Sequence, residues 1–354
     1  MFEIDGAYGE GGGQLVRTAV ALAAVRGTAI RVTNVRARRR NPGLAPQHVA
    51  AVRAVASLCN AQCEGVAARS TSIAFMPRRL HGGEFRVDVG TAGSITLVLQ
   101  AMLPALVNCG EQSRVTIRGG TDVRAAPPID YFHLVLLPLL AKMGVRAALT
   151  ILRRGYYPKG GGEVQLDVQP VARLLPFVVQ SAGPVERVEV HAHVALLPRD
   201  IAERMDRAAR EHLSRGLPVE TRIDVGVPGS SLGPGGALVV RAVTAHTILA
   251  AAQVAERGVR AEQLGQIAAE ALVRDLQAGA TLDLHAADQM LVFLALAAGR
   301  SEFRATELTS HARTAMWLLE RLGGSRFVVD ASERAVRVLV EPEMRRHAPR
   351  PQSP

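Results

Sequence analysis

Apolar residues recur along this chain in two rhythms. From Leu15 to Arg26 and from His48 to Leu58 they fall three and four residues apart, the spacing of one helix face. Shorter segments, Ile30–Arg36 (IRVTNVR), Arg114–Arg118 (RVTIR) and Glu302–Leu308 (EFRATEL), read as strands half buried in a sheet. Each of these strands leads through a polar turn into an apolar-periodic helix. The first passes through Asn41–Pro46 into His48–Leu58. The second passes through Gly119–Pro128 into Ile129–Met143, ended by Gly144. The third passes through Thr309–Thr314 into Ala315–Leu322, stopped by Gly323 and Gly324.

Other segments echo one another. GAYGEGGG at Gly6–Gly13 resembles GYYPKGGG at Gly155–Gly162, and both precede apolar stretches. GSITLVLQAMLPAL at Gly93–Leu106 resembles ADQMLVFLALA at Ala287–Ala297. Arg36 and Thr121 stand about 85 residues apart, but Thr121 and His311 about 190, so a fixed repeat period leaves roughly 100 extra residues in the last interval. Residues 181–278 carry their own pattern: strands at Val185–Leu197 and Glu220–Val227, helices near Asp200–Ser214 and Ala261–Gln277, and the glycine-rich turn Gly229–Gly236. The expectation is an α/β (α+β) protein. Residues 1–180 and 279–342 form a large domain of repeated strand–helix units, residues 181–278 a smaller inserted α+β domain, and residues 343–354, rich in Pro and Arg, a disordered tail.

Composition narrows the class. With 48% hydrophobic and 21% charged residues in 354, wholesale disorder is excluded. Apolar runs such as Leu97–Val107 are too short or interrupted to cross a bilayer, and no secretory pattern opens the chain, so no membrane role is expected. Three cysteines, Cys59, Cys63 and Cys109, argue against a disulfide scaffold and for the reducing cytoplasm. The formal charge is +10, and Lys142 and Lys159 are the only lysines. Arginine presents a planar fork that grips phosphate bidentately, so a polyanionic partner is plausible. Aromatic residues are only 4%, which argues against a long base-stacking platform and for recognition of backbone and ends.

The chemistry-bearing motifs sit where strands hand over to helices, the edge at which layered α/β folds bind ligands. Gly6–Gln14 places three consecutive glycines between a short strand, Phe2–Asp5, and the helix Leu15–Arg26. Such a turn lets backbone amides approach an anion, and the helix amino end adds partial positive charge. Glu10 within it makes sense beside phosphates as a ligand for magnesium or manganese, and Arg17, one turn on, can meet the same phosphates. Arg36–His48 (RARRRNPGLAPQH) packs four arginines into five residues before Gln47 and His48. Helix capping is the plain explanation for Thr91 and Ser94 in GTAGSITLVLQ, and for Asp288 and Gln289 at the start of the helix that follows His285. His311, in the turn of the third unit, occupies the same edge as Arg36. Neither lysine stands in a Lys-x-Asp-Gly setting, so a covalent nucleotide intermediate would fall to histidine.

Taken together, GAYGEGGGQLVRTA, VRARRRNPGLAPQHVAAV, GTAGSITLVLQAMLPAL, GGTDVRAAPPIDY, RRGYYPKGGGEV, HAADQMLVFLALA and TSHART resemble the RNA 3′-terminal phosphate cyclase family, in order, from Met1 to about Pro342. The resemblance implies three tandem βαβαββ units with a smaller domain inserted in the last. It implies ATP as substrate, Mg2+ or Mn2+, and an RNA with a 3′-terminal phosphate as partner. Histidine takes AMP from ATP and passes it to the RNA phosphate. The ribose 2′-hydroxyl then expels AMP, leaving a 2′,3′-cyclic phosphate. By position, His311 is the adenylated nucleophile and Glu10 the metal-binding acid. Arg17, Arg36, Arg39, Gln47 and His48 face the phosphates and RNA end, and Gln100, Pro127, His285, Asp288 and Gln289 the nucleotide. Tyrosine can replace His285 in the family, and either ring can stack on adenine. Two other classes share parts of this pattern: a non-catalytic cyclase-like scaffold of ribosome assembly, and carboxyvinyl transferases built from related units.

Overall fold

The computed structural model describes residues 1–213, 219–226 and 229–343. From 344 onward the expected disordered tail lies outside the described residues. Strand β1 (Phe2–Asp5), helix α1 (Gly13–Arg26), β2 (Ile30–Thr33), α2 (Pro46–Ser57), β3 (Gln62–Glu64) and β4 (Ile73–Met76) come first. They form a sheet of order β1-β2-β4-β3, with β1 and β2 parallel and the other pairs antiparallel. Next come β5 (Gly83–Asp88), α3 (Ile95–Asn108), β6 (Ser113–Gly119), α4 (Ile129–Tyr131), a π-helical turn (Phe132–Leu136), α5 (Leu137–Lys142), β7 (Arg146–Arg153) and β8 (Gly162–Gln169). Their sheet, β5-β6-β8-β7, has the same order and the same pairing senses.

The chain then makes β9 (Val185–Ala195), α6 (Arg199–Leu213), β10 (Val219–Gly226), β11 (Gly235–Thr244), β12 (Ile248–Val254) and α7 (Ala261–Gln277). The sheet β10-β9-β11-β12 buries its own apolar cluster, including Val188, Val190, Leu238, Met205 and Leu272, under α6 and α7. Last come α8 (Leu284–Leu296), β13 (Ser301–Ala305), α9 (Ser310–Gly323), β14 (Arg326–Ala331) and β15 (Val336–Glu341). Here the sheet order is β13-β15-β14, and Val178 bridges in parallel to Glu302 of β13. The protein is thus a mixed α/β structure of several small sheets. Among its described residues no helix is long and apolar enough to cross a membrane.

One large core joins the first, second and last sheets, and α1, α3 and α8 run through it. Helices α3 and α8 are apolar almost all round, the pattern of a helix enclosed by others. That enclosure fixes the amino ends of the helices, and with them the cleft described below.

Several boundaries differ from the sequence reading for identifiable reasons. The strand expected over Ile30–Arg36 stops at Thr33, because Asn34 and Arg36 turn left-handed, with φ 51° and 54°. The helix expected from Ala315 begins at Ser310, so His311 lies in a helical first turn rather than in the preceding loop. Thr309 caps that helix, its hydroxyl accepting from the Ala312 amide at 2.8 Å. The helix expected over 129–143 contains a π-helical turn just ahead of Pro138. Proline lacks the amide that would bond Leu134. The freed Leu134 carbonyl instead accepts from Arg241 of β11 at 2.6 Å. The run Gly155–Gly162 leads into strand β8, not a helix, so its likeness to Gly6–Gly13 is not one of position. A Cβ at Gly155 would strike the Gly119 carbonyl and the Gly162 backbone, so close strand packing explains that glycine. In the segment 185–254, β11 and β12 were not legible, since runs such as ILAAAQV fit a buried helix as well as a strand.

Candidate active site

The first turns of α1, α2, α8 and α9 converge on one cleft of about 660 Å3, and α3 forms its floor with Leu97 and Gln100. The amino ends of four helices, α1 among them without a side-chain cap, give this cleft a positive character through their dipoles. Every candidate residue named above lines it: Glu10, Arg17, Arg36, Arg39, Gln47, His48, Gln100, Pro127, His285, Asp288, Gln289 and His311. Residues 124–128 and Ala252, Gln253, Val254 and Glu256 complete the wall.

Glycine at 12 and 13 leaves room for two side chains of the cleft. A Cβ on Gly12 would overlap the Glu10 carboxylate, and one on Gly13 the imidazole of His48. Helix α1 therefore begins without a side-chain cap, its amides left open. The glycine turn is tied to α9 at two points that the sequence did not reveal. The Glu10 amide donates to Thr314 Oγ1 at 3.0 Å, and Tyr8 stacks on Trp317 with ring centroids 3.7 Å apart.

Glu10 is nearly buried, with Arg39 against it as an ion pair and His311 Nδ1 3.4 Å from its Oε2. Glu10 Oε1, His311 Nδ1 and Gln289 Oε1 are buried without a hydrogen bond. Arg39 supplies the positive charge at Glu10 Oε1, so a divalent cation that also meets phosphates would take the place of Arg39 there. Arg17 is half-buried and has no carboxylate partner among the described residues. Burial lowers its pKa to about 10, so it stays charged at neutral pH. Arg36 donates to the carbonyls of Asn41 at 3.0 Å and Gly43 at 2.7 Å, which hold its guanidinium in place.

His48 accepts the Ala45 amide on Nδ1 at 3.0 Å, so in the neutral ring Nε2 carries the proton and is a donor. Burial, then the charges of Arg17 and Arg36, push its pKa down to about 3. A histidine lowered in this way contributes stability in full above its unfolded pKa near 6.5, and that stability is lost as pH falls toward 3. Between pH 7 and pH 5 the wild type is expected to lose about 2 kcal/mol more than His48→Asn, whose Oδ1 keeps an acceptor for the Ala45 amide. Urea midpoints at the two pH values check this; equal losses would refute it.

His311 is also lowered, by burial and by Arg17 and Arg39, against the opposing pull of Asp288. Its ring is therefore neutral at pH 7, with a lone pair on one nitrogen. Asp288 accepts from Thr309 Oγ1 at 2.7 Å, next door to His311, and burial raises its pKa. Asp288 is not the helix cap. That role belongs to Asp283, whose Oδ1 accepts from the amides of His285 and Ala286 at 3.0 Å and from the Tyr131 hydroxyl at 2.6 Å. Relieved of capping, Asp288 faces the cleft. His285 meets Tyr131 edge-on, and burial lowers its pKa. Gln47 Oε1 accepts from the Ser94 amide at 3.4 Å, and the Pro127 carbonyl accepts from Thr96 Oγ1 at 2.9 Å. Pro104, inside α3, lacks the amide that would bond the Gln100 carbonyl one turn before it.

A second polar group, which the sequence did not reveal, lies where β7 ends against β9. Asp122, Asp130 and His193 have ligand atoms close enough to hold a metal, but Arg154 already supplies a cation there. Its Nη1 is 2.7 Å from Asp130 Oδ2 and 3.5 Å from Asp122 Oδ2, and His193 Nδ1 is 3.1 Å from Asp130. Burial pushes Asp130 up, yet the His193 hydrogen bond and the Arg154 charge hold it far below the usual carboxylate range.

Comparison with known proteins bears on this cleft. The family model for RNA 3′-terminal phosphate cyclase matches residues 8–329. The protein named RNA 3′-terminal phosphate cyclase from Nitrosospira multiformis is 51% identical over 343 residues, covering 97% of each chain. Proteins of the same name from Ignicoccus hospitalis and Methanopyrus kandleri are each 43% identical over 91% of this chain, covering 92% and 93% of their own. Among solved structures, the enolpyruvyl transferase NikO from Streptomyces tendae aligns with 95% of this chain and 47% of its own, at 13% identity and a TM-score of 0.37. Matched along nearly its whole length by the model and by these relatives, the chain belongs to the RNA 3′-terminal phosphate cyclase family.

Proposed function

We propose that the protein uses ATP to convert an RNA 3′-terminal phosphate to a 2′,3′-cyclic phosphate, with AMP carried on His311. The observation that carries this reading is an imidazole at a helix amino end, sharing one cleft with Glu10, Arg17, Arg36 and Arg39. With Nδ1 turned in toward Glu10, Nε2 is the nitrogen that attacks. It forms a bond to the α-phosphorus of ATP, and the bond from that phosphorus to the bridging oxygen breaks, releasing pyrophosphate. Arg17, Arg36, Arg39 and the Nε2–H of His48 stabilise the charge that builds on the phosphate oxygens. Glu10 would hold Mg2+ or Mn2+, which adds positive charge at the same phosphates. Gln100, Pro127, His285, Asp288 and Gln289 surround the nucleoside, with Asp288 orienting the start of the His311 helix through Thr309.

The RNA phosphate then attacks the same phosphorus and releases His311, giving an RNA(3′)pp(5′)A end. The 2′-hydroxyl of that ribose closes on the 3′-phosphorus, and AMP leaves. This last step asks little of the protein, because nucleophile and electrophile share one sugar.

The architecture that goes with this reading is three βαβαββ units over 1–180 and 279–342, interrupted by an inserted domain at 181–278. It is supported by the common strand order of the first two sheets and by the parallel pairing of Val178 with β13, which supplies the corresponding first strand of the third. The separate apolar cluster over 188–280 supports the insert.

Incubation with α-labelled ATP and a divalent cation, followed by RNA ending in a 3′-phosphate, tests the reading. Label is expected on protein first, then on RNA, then as free AMP, while the RNA end becomes resistant to phosphatase. Label that never leaves the protein, or RNA that stays phosphatase-sensitive, would overturn it.

A further inference from the structure

The first turn of α2 separates two cavities. Gln47 and His48 face the cleft, whereas Pro46, Val49, Ala50 and Arg53 line a groove of about 490 Å3 on the other side, closed by Arg86 and Val89 of the next sheet. The wall between them is thin: a Cβ on Gly93 would touch both Val89 of the groove and Gln47 of the cleft. Anything long and anionic that ends in the cleft has this groove as its neighbour.

The chemistry of the lining suits a nucleic acid strand. Arg53 and Arg86 are exposed, and neither has a carboxylate partner among the described residues; Arg53 donates only to the Val66 carbonyl at 3.2 Å. Asp88, the acid in the lining, is turned to the Gly90 amide at 2.7 Å. Val49, Ala50, Val87 and Val89 give an apolar floor. Phosphate-gripping forks over an apolar floor match an alternating chain of phosphates and ring faces, and a guanidinium plane can itself carry a base. The volume lies near the lower part of the range for small-ligand pockets, roughly 300–1,000 Å3, which limits the occupant to a short stretch.

We propose that this groove takes the one or two nucleotides immediately 5′ of the phosphorylated RNA end, with Arg53 and Arg86 on their phosphates. The assignment rests on the RNA reaction proposed for the adjoining cleft. It adds a subsite for RNA upstream of the reacting end.

The test is the double variant Arg53→Ala/Arg86→Ala. Its labelling by ATP without RNA is expected to match wild type, since neither residue lines the cleft. For a ten-nucleotide RNA ending in 3′-phosphate, KM is expected to rise about tenfold with kcat within about twofold. A single nucleoside 3′-phosphate, which has nothing 5′ of its end, is expected to show no change. The slope of log KM for the long RNA against log salt is expected to fall by about 1.4, from two lost phosphate contacts. An unchanged KM for the long RNA, or an equal rise for both substrates, would overturn the groove while leaving the cleft chemistry standing. Wild type that takes no label would sink the cleft reaction instead. Anisotropy of fluorescent 3′-phosphorylated RNA then still decides the groove, which falls if the variant binds as tightly as wild type.

Discussion

His311→Ala is expected to abolish transfer of AMP from ATP to the protein, a fall on the order of 10³-fold or more. The size follows from chemistry rather than binding. A nucleophile that forms the covalent bond has no partial substitute, whereas loss of one arginine among several leaves the others in place. The fold should survive the change. Thr309, not His311, caps α9, and alanine is a better helix former than histidine. The measurement is labelling with α-labelled ATP, followed by acid and alkali treatment. A bond from phosphorus to imidazole nitrogen breaks in acid and survives alkali. Wild type should carry such a label and the variant none. A variant labelled like wild type would move the nucleophile elsewhere. A wild type that never takes label would favour the non-catalytic scaffold class.

The parts of this site legible in the sequence are those in which a local pattern already carries chemistry. Three glycines before a helix, four arginines before another, and a histidine at the start of a third each sit beside a boundary that periodicity marks. Because layered α/β folds bring such boundaries to one edge, the sequence alone groups these residues. What stayed hidden depends on distant partners. Nothing in TLDLHAADQ says that Asp283 rather than Asp288 caps α8, since either acid is close enough to the helix start. The choice is made by Tyr131 and the Ala250 amide, which meet Asp283 from other parts of the chain. The π-helical turn was illegible for the same reason. Pro138 signals a lost hydrogen bond, but the acceptor it frees is satisfied by Arg241, about a hundred residues away. Strands β3 and β4 are only three and four residues long, too short for alternation to stand out. The Arg154 group joins residues from three separate segments, and no spacing rule links them.

Arg154→Met should cost about 3–5 kcal/mol of stability, because it leaves two buried carboxylates with only His193 to pair them. Asp122 is fully buried and Asp130 nearly so, and the guanidinium lies between them. His193 replaces it only in part. Against burial and the Arg154 charge, Asp122 and Asp130 raise its pKa, and losing Arg154 raises it further, which leaves one imidazolium facing two carboxylates. The effect should depend on pH in a definite direction. In wild type Asp130 is depressed below its unfolded value near 3.8, so the stability it contributes is present above that value and is lost as pH falls through the native pKa. In the variant, burial without the Arg154 charge raises Asp130, so the penalty is largest at neutral pH and shrinks as Asp130 takes up a proton. The gap between wild type and Arg154→Met in denaturant midpoint should therefore narrow from pH 7 to pH 4. Adding Asp122→Asn to the variant should recover part of the loss at pH 7, because it removes one unpaired charge. A midpoint for Arg154→Met within about 0.5 kcal/mol of wild type would mean that water reaches this group and that Arg154 holds nothing together. The same variant reports on the cleft. Asp122 and Asp130 flank the loop that carries Pro127, and Pro127 lines the cleft while its carbonyl is fixed by Thr96. Loosening that loop should weaken ATP binding while leaving the His311 nucleophile intact, so the KM for ATP should rise more than kcat falls.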